Sequence, residues 1–106
     1  MLMLQTLPWP TWEANAAGEN TRVNVAFERM FQFSAEDLRG NGWKALLHPD
    51  DFDDYVFSWS GAVRDRRDFD YPLVRFRSRD GHVWPVHVTA YLACSGRALG
   101  HECSSC

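Results

Sequence analysis

The stretch Phe33-Ser34-Ala35-Glu36-Asp37-Leu38-Arg39-Gly40-Asn41-Gly42-Trp43-Lys44-Ala45-Leu46-Leu47-His48-Pro49-Asp50-Asp51 decides the fold of this chain. It holds two helix starts separated by a double-glycine break, so it reads as short helices in series. Ser34 is placed to cap the first. Asp37, three residues on, stands in for the usual Glu of a capping box, and Phe33 and Leu38 sit where a hydrophobic staple closes. Gly40 and Gly42 end that helix and permit left-handed backbone. Trp43 to Leu47 predicts one further turn. His48-Pro49-Asp50-Asp51 then opens a longer helix, with Pro49 suited to the first position, where no N–H is needed.

Downstream, Phe52, Tyr55, Val56, Trp59 and Val63 form one apolar stripe at helical spacing. Asp50, Asp51, Asp53 and Asp54 crowd the start of that helix and Arg64, Arg66 and Arg67 follow its end, both complementing the helix dipole. A calcium loop is rejected, because no glycine stands at the sixth loop position. Phe69 to Arg77 reads as a strand with Val74 and Phe76 on one face and Arg75 and Arg77 on the other. Asp80-Gly81 signals a hairpin turn. From His82 to Leu92 the alternation is clean: Trp84, Val86, Val88, Ala90 and Leu92 face one way, Val83, Pro85, His87, Thr89 and Tyr91 the other. Pro85 predicts an edge, a bulge or a lost ladder bond. Ser95-Gly96 is a second turn and Ala98 to Ser104 a third strand.

Upstream, Asn24 is placed to cap a short helix bearing Phe27, Met30 and Phe31. Thr11 to Asn15 and Thr21 to Val23 read as a strand pair around Ala16-Ala17-Gly18. Pro8 and Pro10 mark residues 1–11 as a flank, leaving residues 12–106 as a single domain. A strand pair, then helices, then a three-stranded meander predicts an α+β domain with helices on one side of an antiparallel sheet.

Length and composition agree with one globular unit: 106 residues, 45% apolar and 14% aromatic, enough apolar surface to offset chain entropy. A net charge of −3 argues against nucleic acid. Only Arg64, Arg66, Arg67, Arg75, Arg77 and Arg79, interleaved with Tyr71 and Phe76, suggest a single-strand binder. Met1-Leu2-Met3-Leu4 has no basic residue before it and Pro8 and Pro10 cut the apolar run, so no membrane contact is expected. Cys94, Cys103 and Cys106 are an odd number and read as reduced thiols of a cytoplasmic protein. Cys103-Ser-Ser-Cys106 with His101 lacks the second ligand pair that zinc needs, so no metal site is expected. Cys94, His87, Asp68 and Asp70 are too scattered for a triad or a small redox enzyme, and the chain reads as non-catalytic. Alternation puts His87 opposite the core-facing set, as an exposed strand histidine.

Taken in order, Asn24-Val25-Ala26-Phe27-Glu28-Arg29-Met30-Phe31, Phe33-Ser34-Ala35-Glu36-Asp37-Leu38, Gly40, Trp43, Leu46-Leu47-His48-Pro49-Asp50-Asp51 and Arg79-Asp80-Gly81 resemble the PAS sensory domains, in particular those whose long helix opens with His-Pro-Asp-Asp. The resemblance spans about residues 12–104. It implies a five-stranded antiparallel sheet of order 2-1-5-4-3 with helices on one face enclosing a small pocket. It also implies a sensor or interaction module that regulates a joined output domain, such as a kinase, diguanylate cyclase or transcription factor. The family's Asp-Ile-Thr after the last strand has no counterpart here.

The resemblance bears on ligands too. In the light-sensing flavin branch a reactive Cys follows the segment matching Gly40-Asn41-Gly42. Trp43 stands there, so thiol-adduct flavin is not expected. Family haem sensors often carry an axial His within the long helix, and Phe52 to Val63 contains none. Non-covalent flavin stays open, with core packing the plainer role for Trp43 and Trp59. A pocket in this architecture is expected around Met30, Leu38, Trp43, Val56, Val74, Phe76 and Val88. With no Lys or Arg among them, it should reject dicarboxylates and take a planar or apolar ligand. The alternative is a ligand-free docking or dimerisation scaffold. The apolar flank (Leu2, Leu4, Leu7, Trp9) is expected to pack on the outer sheet face or into a two-fold partner, giving a homodimer.

Overall fold

The chain folds as β1 (Thr11–Ala14), β2 (Asn20–Val23), α1 (Val25–Phe31), α2 (Ala35–Leu38), a 3-10 turn (Gly42–Leu46), α3 (Pro49–Asp65), β3 (Phe69–Arg77), β4 (Val83–Leu92) and β5 (Ala98–Ser104). The structure, a computed structural model, describes residues 8–92 and 98–104. Leu2, Leu4, Leu7, Cys94, the Ser95-Gly96 turn and Cys106 therefore lie outside the described residues. The five strands form one antiparallel sheet in the order β2-β1-β5-β4-β3, as expected.

The helix starts follow the capping logic of the sequence. Asn24 Oδ1 accepts from Phe27 N and from Thr11 N, both at 3.0 Å, while its Nδ2 donates to the Trp9 carbonyl at 2.9 Å. One buried side chain thus caps α1 and fastens it to the beginning of β1. Ser34 and Asp37 complete the capping box of α2. At α3, Pro49 occupies the first turn and His48 is the cap, its Nδ1 accepting from Asp50 N at 3.1 Å.

Gly40 is left-handed, with φ +67°, but Gly42 is not. Gly42 is required for another reason: a Cβ there would lie 2.0 Å from the Asp37 carbonyl oxygen. Close approach, not a positive φ, fixes that glycine.

The inner sheet face and the helices share one core. Val74, Phe76, Val86, Val88 and Ala90 are buried there with Phe31, Leu38, Leu46, Leu47, Tyr55 and Trp59. Tyr71 pairs with Val88 and Val74 with Val86, so Pro72 and Leu73 together face the one residue His87. This bulge keeps Phe69, Tyr71, Val74 and Phe76 on the inner side, and it falls on an edge strand, where proline is tolerated. Pro85 stays in regular register opposite Arg75, while the described pairing of β4 with β5 ends at Val86. The bulge therefore belongs to Pro72, and Pro85 sits just past the ladder that would have needed its N–H.

Candidate ligand cavity

A cavity of about 30 Å³ lies between the β1–β2 end of the sheet and the helices. Trp12 and Ala14 of β1 line it, with Gly18 of the following loop and Asn20 and Val23 of β2. The helical side supplies Phe27, Leu38, Trp43, Leu46, Tyr55 and Trp59, and β3 adds Phe76. The walls are chiefly aromatic. Trp12 meets Trp59 edge-on at 5.4 Å, and Trp43 meets Tyr55 at 6.0 Å. Among these described lining residues there is no Lys, Arg, Asp, Glu, His or Cys.

Two hydrogen bonds set the shape of the cavity. Trp59 Nε1 donates to the Gly18 carbonyl at 3.1 Å, locking α3 to the β1–β2 loop. Gly18 must be glycine, since its φ is +83° and a Cβ would stand 2.9 Å from Val63 Cγ2. Asn20 Nδ2 donates to the Leu38 carbonyl at 3.2 Å, and the Asn20 and Gly40 backbones exchange two bonds of 2.8 Å. The Trp12 indole N–H is buried without an acceptor among the described residues. Such a donor favours a ligand that brings one acceptor atom.

The Trp43 wall is pinned at both ends. Its start hangs on the Asn20–Gly40 bridge, and its end on a bridge between Leu47 and Phe76. Beyond Leu47, Asp51 grips β3: Arg75 Nη2 and Nε donate to its two oxygens at 2.8 and 3.0 Å, and Arg75 N adds a bond of 2.8 Å. The Arg75 hydrogen bonds hold the Asp51 carboxyl below its ordinary range. Asp51 is thus more than a dipole-complementing charge: it ties the start of α3 to the sheet. Burial pushes the nearby Tyr71 hydroxyl up, with the Asp54 and Asp51 charges adding to it.

Of the residues expected around a pocket, Leu38, Trp43 and Phe76 line this cavity. Val74 and Val88 lie fully buried in the packed centre of the sheet, and Met30 and Val56 pack against the core without reaching the cavity. The contribution of β1 and β2 (Trp12, Ala14, Asn20, Val23) escaped the sequence reading because four-residue strands leave almost no alternation to read. The arginine series divides. Arg75 pairs with Asp51 and Arg79 with Asp37 at 2.7 Å, while Arg64 and Arg67 sit beside Asp65. His87 lies on the outer face, 2.6 Å from Asp70.

The model of the PAS fold matches residues 20–98. The chain belongs to the PAS fold family. Solved structures agree on the architecture. A PAS domain from Colwellia psychrerythraea superposes with a TM-score of 0.79 at 16% identity, covering 98% of this chain and 92% of that one. The N-terminal domain of a diguanylate cyclase with PAS/PAC sensor from Marinobacter aquaeolei gives 0.78 at 17%, covering 90% and 93%. The Rhodobacter sphaeroides LOV protein gives 0.82 at 11%; 97% of this chain is covered, but this chain spans only 63% of that protein. No curated protein matches the sequence.

A flavin does not fit this PAS cavity as it stands. About 30 Å³ holds roughly two water molecules, whereas sites for ligands of drug size enclose about 300 Å³ or more. Among the described residues no helix is long and apolar enough to cross a membrane.

Proposed function

We propose that this PAS domain is a non-catalytic, cytoplasmic sensory module that regulates a joined output domain, such as a kinase, diguanylate cyclase or transcription factor. The aromatic cavity with its pinned but segmented wall carries this reading. Residues 41–46 span the gap between two isolated bridges, so moving that span outward enlarges the cavity without disturbing the sheet. The ligand is small, apolar or planar, with one acceptor for the Trp12 N–H. Dicarboxylates are rejected, because no cationic side chain lines the cavity to pair with them. Leu38, Trp43 and Phe76 touch the ligand, while Met30, Val56, Val74 and Val88 support them from behind. Displacement of the 41–46 span passes through Leu47 to β3 and the Asp51–Arg75 tie, the route by which binding reaches the output.

The small volume favours a second reading, a ligand-free scaffold that works through dimerisation. Thr11 and Glu13 stand on the outer side of β1, yet they are only 4% and 2% exposed. That burial supports an N-terminal flank laid over the outer face and a homodimer built around it. Native mass spectrometry of freshly purified protein, with a visible absorption scan, tests both. A bound small-molecule mass supports the sensor. Bare protein mass, with no apolar compound from a panel raising the melting temperature, overturns it and leaves the scaffold.

A further inference from the structure

The outer sheet face holds a second cluster, remote from the cavity. His87 Nε2 lies 2.6 Å from Asp70 Oδ1, with the two side chains 42% and 60% exposed. On the other side of β4, the register sets Cys103 directly opposite His87 and His101 opposite Thr89. Thr89 is opposite Asp70 on β3. Opposed residues share a face, as do residues two apart along a strand. Asp70, His87, His101 and Cys103 therefore occupy one patch across three adjacent strands. Opposed Cα atoms in such a sheet lie about 5 Å apart and diagonal ones about 7–8 Å. Donors so spaced can converge on one ion, at about 2.0–2.3 Å from each.

We propose that His87, His101 and Cys103 bind a divalent transition metal, zinc by ligand type, with Asp70 as the positioning residue behind His87. A carboxylate at Nε2 makes that nitrogen the N–H donor and leaves Nδ1 with the lone pair a metal takes. A carboxylate behind a histidine ligand is the usual supporting arrangement, since it fixes ring orientation and tautomer. Two imidazoles and a thiolate suit zinc, with a fourth position for water. Binding displaces the Cys103 thiol proton to solvent and transfers no electrons. From sequence, His101 and Cys103 lacked further ligands; strand register supplies one from 14 residues earlier.

The test is titration of the full chain, reduced, with zinc by calorimetry and with cobalt(II) by absorption. One equivalent should bind, and cobalt should show a thiolate charge-transfer band with the intense visible bands of four-coordination. Cys103→Ser should remove the charge-transfer band. His87→Gln and His101→Gln should each weaken zinc at least tenfold. Asp70→Asn should weaken it about tenfold while keeping the thiolate band, which a merely structural residue would not do. Metal-free melting checks that each variant is folded. The absence of stoichiometric zinc binding by the unaltered chain would overturn the site. So would binding that survives His87→Gln but is lost in Cys106→Ser, which would assign the metal to the Cys103-Ser-Ser-Cys106 pair alone.

Discussion

Val83 and Val86 are the same residue type on the same strand, yet Val83 is 40% exposed and Val86 is fully buried. Three positions apart on β4, they fall on opposite faces of the sheet. The inner face lies under α1, α3 and the 3-10 turn, and there Val86, Val88 and Ala90 pack against aromatic rings. The outer face carries Val83 and Tyr91 together with the His87–Asp70 pair. Hydrophobicity alone does not decide burial; what the alternation aims each side chain at does. The largest expected effect follows from that contrast. Val86→Asp places an unpaired charge among apolar side chains and should cost more than about 4 kcal/mol, unfolding the domain. Val83→Asp should cost less than about 0.5 kcal/mol. Denaturant unfolding of the two variants side by side checks this, and a Val86→Asp protein that melts normally would break the assignment of faces.

The double-glycine break offers a second, smaller contrast. A Cβ at Gly42 meets the Asp37 carbonyl at 2.0 Å, and backbone cannot step aside as a side chain tip can. Gly42→Ala should cost about 3 kcal/mol. Around Gly40 there is open space, so only the left-handed φ of +67° is penalised, and Gly40→Ala should cost about 1 kcal/mol. Equal melting shifts for the two would show that conformation, not contact, governs both positions. The same pair marks a limit of sequence reading. Glycine was legible as a helix breaker at both sites, but a steric demand set by a carbonyl five residues earlier appears only once α2 and the 3-10 turn are stacked.

More of the sheet was legible than of the cavity, for a physical reason. β3 and β4 are nine and ten residues long, so period-two alternation accumulates enough repeats to fix a face and an edge. β1 and β2 have four residues each, and their contribution to the cavity depends on where the meander closes back against β1. Local capping signals were fully readable, because Asn24, Ser34 and Pro49 act within their own first turns. Asn24 also bonds Thr11 N and the Trp9 carbonyl, and those tertiary partners have no sequence signature. Asp51 is similar. It was legible as one of four acidic residues at a helix start, while the arginine that makes it different lies 24 positions away.

That arginine makes Asp51 the next test, again by comparison with its neighbours. Asp51→Asn loses a bidentate charge-assisted pair and should cost about 2 kcal/mol at neutral pH. Asp53→Asn, at an exposed position, should cost less than about 0.5 kcal/mol. Because Arg75 holds Asp51 below its ordinary value of 3.8, the folded state favours the ionised form. Its contribution is complete above that value and is lost as pH falls below it through the folded-state pKa. The stability gap between the native protein and Asp51→Asn should therefore be constant from neutral pH down to about 4 and close below that. Urea midpoints measured across that range check the sign; a gap that widens in acid would mean Asp51 is not the ionised partner of Arg75.

The smallest expected effect separates a free outer face from an occupied one. Leu73 and Val74 are adjacent, but the bulge turns Leu73 out, 61% exposed, while Val74 is completely buried. Val74→Ala removes two methyl groups from a packed core and should cost about 2 kcal/mol. Leu73→Ser removes an apolar side chain that touches little else in the protomer, so its cost should stay below about 0.5 kcal/mol and be independent of protein concentration. A second copy seated on this face changes that expectation. Leu73 would then be buried in the dimer, and the serine variant would shift the sedimentation profile toward monomer and lower the melting temperature more at high concentration than at low. Sedimentation velocity and melting at two concentrations distinguish the cases. A change in both places the bulge in a homodimer interface, and no change in either leaves it facing water.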